Sequence, residues 1–314
     1  MVNIKKAVII GCGFVGSSIA FALRQKGQFN ELVLIDANKA KAEGEARDLA
    51  HGLPYAYSRN IYAGNYEDTK DASVIIITAG ASQKPGETRL DLIHKNAGIR
   101  KSVIAELKRV QVEGILLIVA NPVDVLTHIA YKESGLPANR VFGSGTVLDT
   151  ARLKYLLSKR LSVDTKNVHA VIIGEHGDSE TPIWSGANIS GIPLNDFCAR
   201  RGYTDHDAGR KQIQDDVVNS AYKIIEKKGA TYYGIALSVS HIVSCIVNDT
   251  HTRLPVSVEL NGTYGLSDLA LSIPSLVGRS GVEKVLELPL TNKEKEKLEK
   301  SAAALKEVIA KARQ

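Results

Sequence analysis

The run from Lys6 to Gly16, KAVIIGCGFVG, leaves a chain few ways to fold. A β-branched stretch ends at Ile10, and glycines follow at Gly11, Gly13 and Gly16. Beyond them SSIAFALRQKG carries Ile19, Ala20 and Leu23 at helical spacing and stops near Gly27. A second apolar strand, ELVLID, ends on Asp36, 20 positions beyond Gly16. A glycine triplet alone is weak evidence. A strand, a G-x-G-x-x-G turn, a helix, a second strand and a terminal acid in that order are strong evidence for a dinucleotide site. Each part meets a physical demand. Gly11 allows the tight turn, Gly13 lets the backbone approach a pyrophosphate, and Gly16 lets the helix pack on the strand, while the helix N-terminus attracts phosphate. Asp36 can accept hydrogen bonds from the adenosine ribose and repels a 2′-phosphate, so NAD is expected rather than NADP.

Further strand–helix repeats follow. SVIIITAG (73–80) and GILLIVANP (114–122) read as fully apolar strands, as in a parallel sheet covered on both faces. Residues 90–110 between them read as a helix, and RVFGSG (140–145) as a further short strand. The alternation predicts an α/β fold, a Rossmann-like doubly wound parallel sheet, with ligands at the carboxyl ends of its strands. Polar features lie at those ends: the loop AGASQKPGETR (79–89), punctuated by Gly80, Pro85 and Gly86; the run Asn121-Pro122-Val123-Asp124; and Ser144. Such a loop can serve as a lid.

The second half reads as an α+β substrate domain, with the division expected at 1–143 and 144–314. TVLDTARLKYLLSKR (146–160) reads as a helix with Asp149, Arg152, Leu153 and Leu156 on one side. In the stretch AVIIGEHGDS (170–179) an apolar strand ends abruptly at Gly174 and delivers His176 to a polar rim. Histidine titrates nearest neutral pH and can give or take a proton there. Residues 205–228 and 231–247 read as helices, LPVSVEL and LALSIPSLVG as antiparallel strands about an NGTYG turn, and YKESGLP (131–137) as a loop. A last helix follows the capping box Thr291–Glu294, with Leu298, Ala302, Leu305 and Ile309 recurring along it.

Composition excludes several alternatives. With 44% hydrophobic and 24% charged residues, the chain is ordinary for a globular protein. The net charge of +6 comes without a basic run interleaved with aromatics, so no nucleic acid is expected. Cys12, Cys198 and Cys245 are scattered, with neither metal-ligand spacing nor an even disulfide set. His51, His94, His128, His206, His241 and His251 have no ligand-spaced partners, and no metal is expected. The opening MVNIKKAVII lacks a secretory pattern and the apolar runs are too short for a bilayer, so a cytoplasmic, membrane-free protein is expected.

The motifs GCGFVG, ASQKPGETRLD, NPVD, LDTAR and IIGEHGDS, in this order and over nearly the whole length, resemble those of the NAD-dependent L-lactate dehydrogenases of bacterial type, in the lactate/malate dehydrogenase superfamily. The resemblance implies reversible hydride transfer between NADH and pyruvate, giving L-lactate at the fermentative end of glycolysis. It places His176 as proton donor and acceptor, Asp149 as its paired carboxylate, and Arg152 as the fork that grips the substrate carboxylate. Arg89 falls at the position that polarises the carbonyl as the lid closes, and Asn121 at one that hydrogen-bonds the same oxygen. Asp124 and Thr231 fall among the substrate-binding positions. Gly11, Gly13, Val15, Gly16, Asp36, Lys41, Tyr66, Gly80, Ala81, Ser102, Asn121 and Ser144 fall among the cofactor-binding ones. Gln83 stands where malate dehydrogenases carry an arginine. An uncharged side chain there leaves a second substrate carboxylate unpaired, which favours pyruvate over oxaloacetate.

The resemblance also implies a homotetramer, and an allosteric site for fructose 1,6-bisphosphate between subunits at Lys154 and His169. Lys154 departs from the arginine of that pattern and loses its bidentate grip on phosphate. An alternative of another class stays open: a non-catalytic NAD(H)-binding sensor or structural protein on the same fold. Such a protein would tolerate loss of His176, Asp149, Arg152 or Arg89, and all four are present.

Overall fold

The computed structural model describes residues 2–55, 60–81, 89–203 and 205–312, the side chains of 89–94 and 312 aside. The first half alternates strand and helix: β1 (Asn3–Ile10), α1 (Phe14–Lys26), β2 (Glu31–Ile35), α2 (Lys39–His51), β3 (Asn60–Ala63), β4 (Ala72–Ile77), α3 (Arg89–Val110), β5 (Ile115–Ile118), α4 (Val123–Ser134) and β6 (Val141–Gly143). The strands lie in the order β3-β2-β1-β4-β5-β6, and all five pairings are parallel. Ala7 to Ile10, Val74 to Ile77 and Ile115 to Ile118 are buried throughout, because helices cover both faces. The strand order reverses between β1 and β4. The crevice beyond their carboxyl ends is where an open α/β sheet takes its ligand.

The second half begins with α5 (Val147–Leu161), four two-residue strands, β7 (Val168–His169), β8 (Ile172–Ile173), β9 (Thr181–Pro182) and β10 (Asn188–Ile189), and a fifth, β11 (Ile192–Pro193). Then come α6 (Leu194–Arg200), α7 (His206–Lys228), α8 (Tyr233–Asn248), β12 (Thr252–Asn261), β13 (Ser267–Gly278), β14 (Gly281–Val285) and α9 (Asn292–Ala312). Strands β12 and β13 pair antiparallel, as their alternation suggests. They do not form a sheet of their own. β12 also pairs antiparallel with β6, so β12, β13 and β14 extend the parallel sheet to nine strands. One apolar core therefore runs from α1 and β1 through α8, β13 and α9. A smaller core joins α5, α7 and the strands around β10.

Two local features bear on the sequence reading. Residues 131–134 belong to α4 rather than to a loop, which is a correction. Every residue from Val123 to Ala130 is buried, including His128, whose Nδ1 lies 2.8 Å from Glu259. Over Val123–Ala130 the helix is enclosed and shows no solvent-facing stripe, so its period is faint in sequence, and its last turn, with exposed Lys132, continues a helix whose start is not legible. The capping box forms as expected. Thr291 Oγ1 accepts from the Glu294 amide at 3.3 Å, and the Glu294 carboxylate accepts from the Thr291 amide at 2.9 Å. That carboxylate also takes the Ser185 amide and hydroxyl, tying α9 to the β9–β10 connection.

Candidate active site

The glycine turn is braced from three sides. Gly11 has a φ of +105°, and its amide donates to the Ile35 carbonyl at 2.7 Å. Its carbonyl accepts from Thr78 Oγ1 at 2.7 Å. A Cβ on Gly16 would stand 1.9 Å from the Gly11 carbonyl oxygen, so helix and turn are in the closest contact a backbone allows. A Cβ on Gly13, in contrast, would meet open space. No side chain caps α1 at Gly13, which leaves its first amides facing outward. Asp36 accepts from the Cys12 amide at 2.7 Å and the Asn38 amide at 2.8 Å, which fixes its carboxylate at the end of β2. An open cradle, uncapped amides and a fixed acid suit a pyrophosphate and a ribose diol, and the residues fit NAD. Cys12 is packed, and burial pushes its thiol up to about 12, so it is a small core side chain.

The other residues expected at the cofactor come from several elements of the first half. Val15 is in the first turn of α1, Lys41 is exposed on α2, Tyr66 opens the turn after β3, and Ser102 is exposed on α3. Gly80 and Ala81 follow β4, and buried Ser144 follows β6. Asn96, on α3, carries no sequence signal, yet it ties two of these loops together. Its Oδ1 accepts from the Ala81 amide at 2.7 Å and its Nδ2 donates to the Asn121 carbonyl at 2.9 Å.

His176 reaches its place by way of the sheet. Gly174 exchanges two backbone hydrogen bonds with Ser272 of β13, at 2.9 and 3.0 Å. Two residues on, the His176 amide donates to Asp124 Oδ2 at 2.7 Å. Asp124 is 2% exposed and accepts from the Ser257 hydroxyl as well, so its carboxylate holds the histidine loop from below and does not line the cavity. The His176 Nδ1 lies 2.5 Å from Asp149 Oδ2, and the Arg152 guanidinium donates to Asp149 Oδ1 at 2.8 Å. The i, i+3 spacing on α5 thus gives a carboxylate shared by an imidazole and a guanidinium.

These groups face a cavity of about 230 Å³. Asn121, Asp149, Arg152, His176 and Glu180 supply its polar wall, and Val217, Val218 and Ala221 of α7 its apolar one. Thr231 lies partly buried just before α8 and is not among the lining residues described. Gln83 is outside the described residues, as is the side chain of Arg89, whose backbone begins α3.

Burial and charge displace the acids and bases here. Burial alone would lower His176. The Asp149 charge and hydrogen bond, with Asp124 and Glu180 beyond, overcome it and raise the imidazole to about 9. Burial works to raise Asp149, yet His176 and Arg152 hold it below the usual carboxylate range. Burial pushes Asp124 up to about 6, against the hydrogen bonds from Ser257 and His176. Glu180 is raised to about 8 by burial and the nearby Asp149 charge. Sequence reasoning missed Glu180, four residues beyond His176, because nothing in its spacing distinguishes it from a surface acid.

Comparison with known proteins agrees with this geometry. Residues 5–143 match the NAD binding domain of lactate/malate dehydrogenase, and residues 146–314 match its alpha/beta C-terminal domain. The chain belongs to the lactate/malate dehydrogenase family. It is 54% identical over 304 residues to an L-lactate dehydrogenase of Thermoanaerobacterium saccharolyticum, covering 97% of this chain and 98% of that protein. It is 50% identical over 306 residues to an L-lactate dehydrogenase of Acetivibrio thermocellus, covering 98% and 96%. Among solved structures, a lactate dehydrogenase from a Medee basin deep-sea metagenome library superposes with a TM-score of 0.96 at 44% identity, covering 100% of both chains. The ligand-bound minor L-lactate dehydrogenase of Enterococcus mundtii gives 0.95 at 44%, covering 98% of each.

Proposed function

We propose that the chain is an NAD-dependent L-lactate dehydrogenase in which His176 exchanges the substrate proton. The observation that carries this reading is the 2.5 Å contact between His176 Nδ1 and a buried Asp149 at the wall of a small, half-apolar cavity. When held by the glycine turn and Asp36, NAD(H) would supply the hydride for the pyruvate carbonyl carbon or accept it from lactate. The protein must deliver a proton to the carbonyl oxygen in the first direction and remove it in the second. With Nδ1 turned to Asp149, Nε2 is the nitrogen left for that proton. The carboxylate fixes the ring and favours the imidazolium, so the donor is loaded at neutral pH. Arg152 grips the substrate carboxylate, Asn121 and Arg89 bind its carbonyl oxygen, and the apolar α7 wall accepts the methyl group. Gln83 excludes a second carboxylate, while Asp36 selects NAD over NADP. Loss of reduced-nicotinamide absorbance on adding pyruvate tests the reading. A protein that binds NADH and leaves pyruvate untouched would instead be a sensor on this fold, which the gathering of His176, Asp149 and Arg152 at one cavity does not favour.

The assembly and its control belong to the same proposal. A homotetramer is supported by exposed Phe14 and Phe21 on α1 and Tyr233 and Leu237 on α8, two helices that pack together and present apolar side chains outward. An anionic effector such as fructose 1,6-bisphosphate is supported by a second cavity of about 410 Å³, lined by Lys154, Arg253 and His241 and, among the described residues, by no carboxylate. Exposed His169 adjoins Ala170 in its wall. Pyruvate saturation curves that coincide with and without the bisphosphate would remove the effector from the account. Among the described residues no helix is long and apolar enough to cross a membrane, which is compatible with the cytoplasmic site of fermentation.

A further inference from the structure

One carboxylate of the cavity has no role in the reaction as derived above. Glu180 is 4% exposed and faces the same space as His176, Asp149 and Arg152. Among the described residues its buried Oε1 has no hydrogen-bond partner. One polar atom each of Asp149, His176 and Glu180 falls within 4.8 Å of the other two. Two carboxylates thus close on one imidazole, although a single carboxylate suffices to orient the ring. An unsatisfied buried oxygen is costly, so this one calls for a physical account.

Resting on the reading of the cavity as a pyruvate site, we propose that Glu180 is a positioning residue that acts through His176. Once ionised it is a second carboxylate holding the imidazolium, and that ionisation sets the pH above which the cavity resists a substrate carboxylate.

The surroundings single it out. Around His176, α5 contributes Asp149 and Arg152, α4 contributes Asp124, and its own loop contributes Glu175, Asp178 and Glu180. Tyr222 of α7 donates to Asp178 at 3.2 Å, at the rim. Asp149 is held ionised, and Asp124 loses its proton through about pH 6, well before Glu180. Glu180, pushed up by burial and then by Asp149, keeps its proton to about 8, just below the range in which His176 gives up its own. Below that point Glu180 is neutral and leaves the Arg152 charge to the substrate. Above it, a second negative charge stabilises the imidazolium and opposes an incoming carboxylate at Arg152. Substrate affinity should therefore weaken before proton delivery fails.

Glu180→Gln keeps the shape and removes the charge, and Glu180→Asp restores the charge. The kinetics are followed from about pH 6 to about pH 10 with pyruvate and NADH. In cofactor-free protein, the protonation of His176 is followed by the pH dependence of its acylation with diethyl pyrocarbonate, resolved by peptide mass. In the native protein, KM for pyruvate should climb above about pH 8 while kcat still holds. In Glu180→Gln the climb should vanish and the His176 midpoint should fall by about one pH unit, about tenfold in proton affinity. Glu180→Asp should recover both in part. Superimposable KM profiles and His176 midpoints in native and Gln proteins would overturn the proposal. If the Gln variant does not fold, a native His176 midpoint at or below the ordinary value of about 6.5 overturns it as well. Failure of the native protein to oxidise NADH with pyruvate would fall on the underlying reading, whereas the difference in His176 midpoint between the native and Gln proteins bears on Glu180.

Discussion

At the end of β1 the chain meets its ligand with backbone, whereas beyond β8 it meets its ligand with charged side chains. The glycine turn depends on a carbonyl, a few outward amides and the room left by missing Cβ atoms. The His176 cavity depends on Asp124 from α4, Asp149 and Arg152 from α5, and His176 and Glu180 from one loop, all gathered at close range. The first region meets its ligand chiefly with backbone groups that do not titrate. In the second, burial and mutual charge move several groups away from their ordinary values. Binding and proton transfer are thus built from different materials, and substitutions should separate them.

The largest separation is expected from His176→Ala. Turnover with pyruvate should fall by about 10²- to 10⁴-fold, the usual worth of a positioned general acid, while NADH binding measured by fluorescence stays near native. A variant retaining most of its kcat would break the division between the regions. Gln83→Arg comes next and sharpens specificity rather than rate. The kcat/KM ratio of oxaloacetate to pyruvate should rise by at least about tenfold, because the added cation pairs with the second carboxylate and stands uncompensated against a methyl group.

The glycines offer the converse test. Gly16→Ala drives a Cβ into the Gly11 carbonyl and should cost about 1–3 kcal/mol of stability by thermal or denaturant unfolding. Gly13→Ala places its Cβ in open space, so stability should hold while NADH binds less well. Equal stability losses in the two variants would mean that the turn is not shaped for a ligand. The smallest effect belongs to Thr291→Ala, which removes the α9 cap at about 1 kcal/mol and should leave both binding and turnover alone.

The same contrast explains what could be read from sequence. The glycine turn is contiguous, so its strand, helix and Asp36 could be placed from order and spacing alone. The α5 pair was legible too, since Asp149 and Arg152 lie one turn apart on a recognisable helix. Glu180 and Asn96 were not, because their roles come from tertiary neighbours with no local period. Helix α4 lay hidden because burial of Val123 to Ala130 on every side erases the polar face that marks a helix. The extension of the parallel sheet by β12 to β14 was equally hidden, since strand alternation gives a strand its faces but not its neighbour.

The central claim is that a buried carboxylate environment keeps His176 protonated through the neutral range. It is tested most directly by the pH dependence of both reaction directions in the native protein. A raised proton affinity means that the donor is present below the folded midpoint and lost above it. Pyruvate reduction should therefore fall as pH rises through about 9, and lactate oxidation, which needs the free base, should gain over the same interval. Limbs in both directions centred near the ordinary histidine value of about 6.5, and unmoved by Asp149→Asn, would contradict the account.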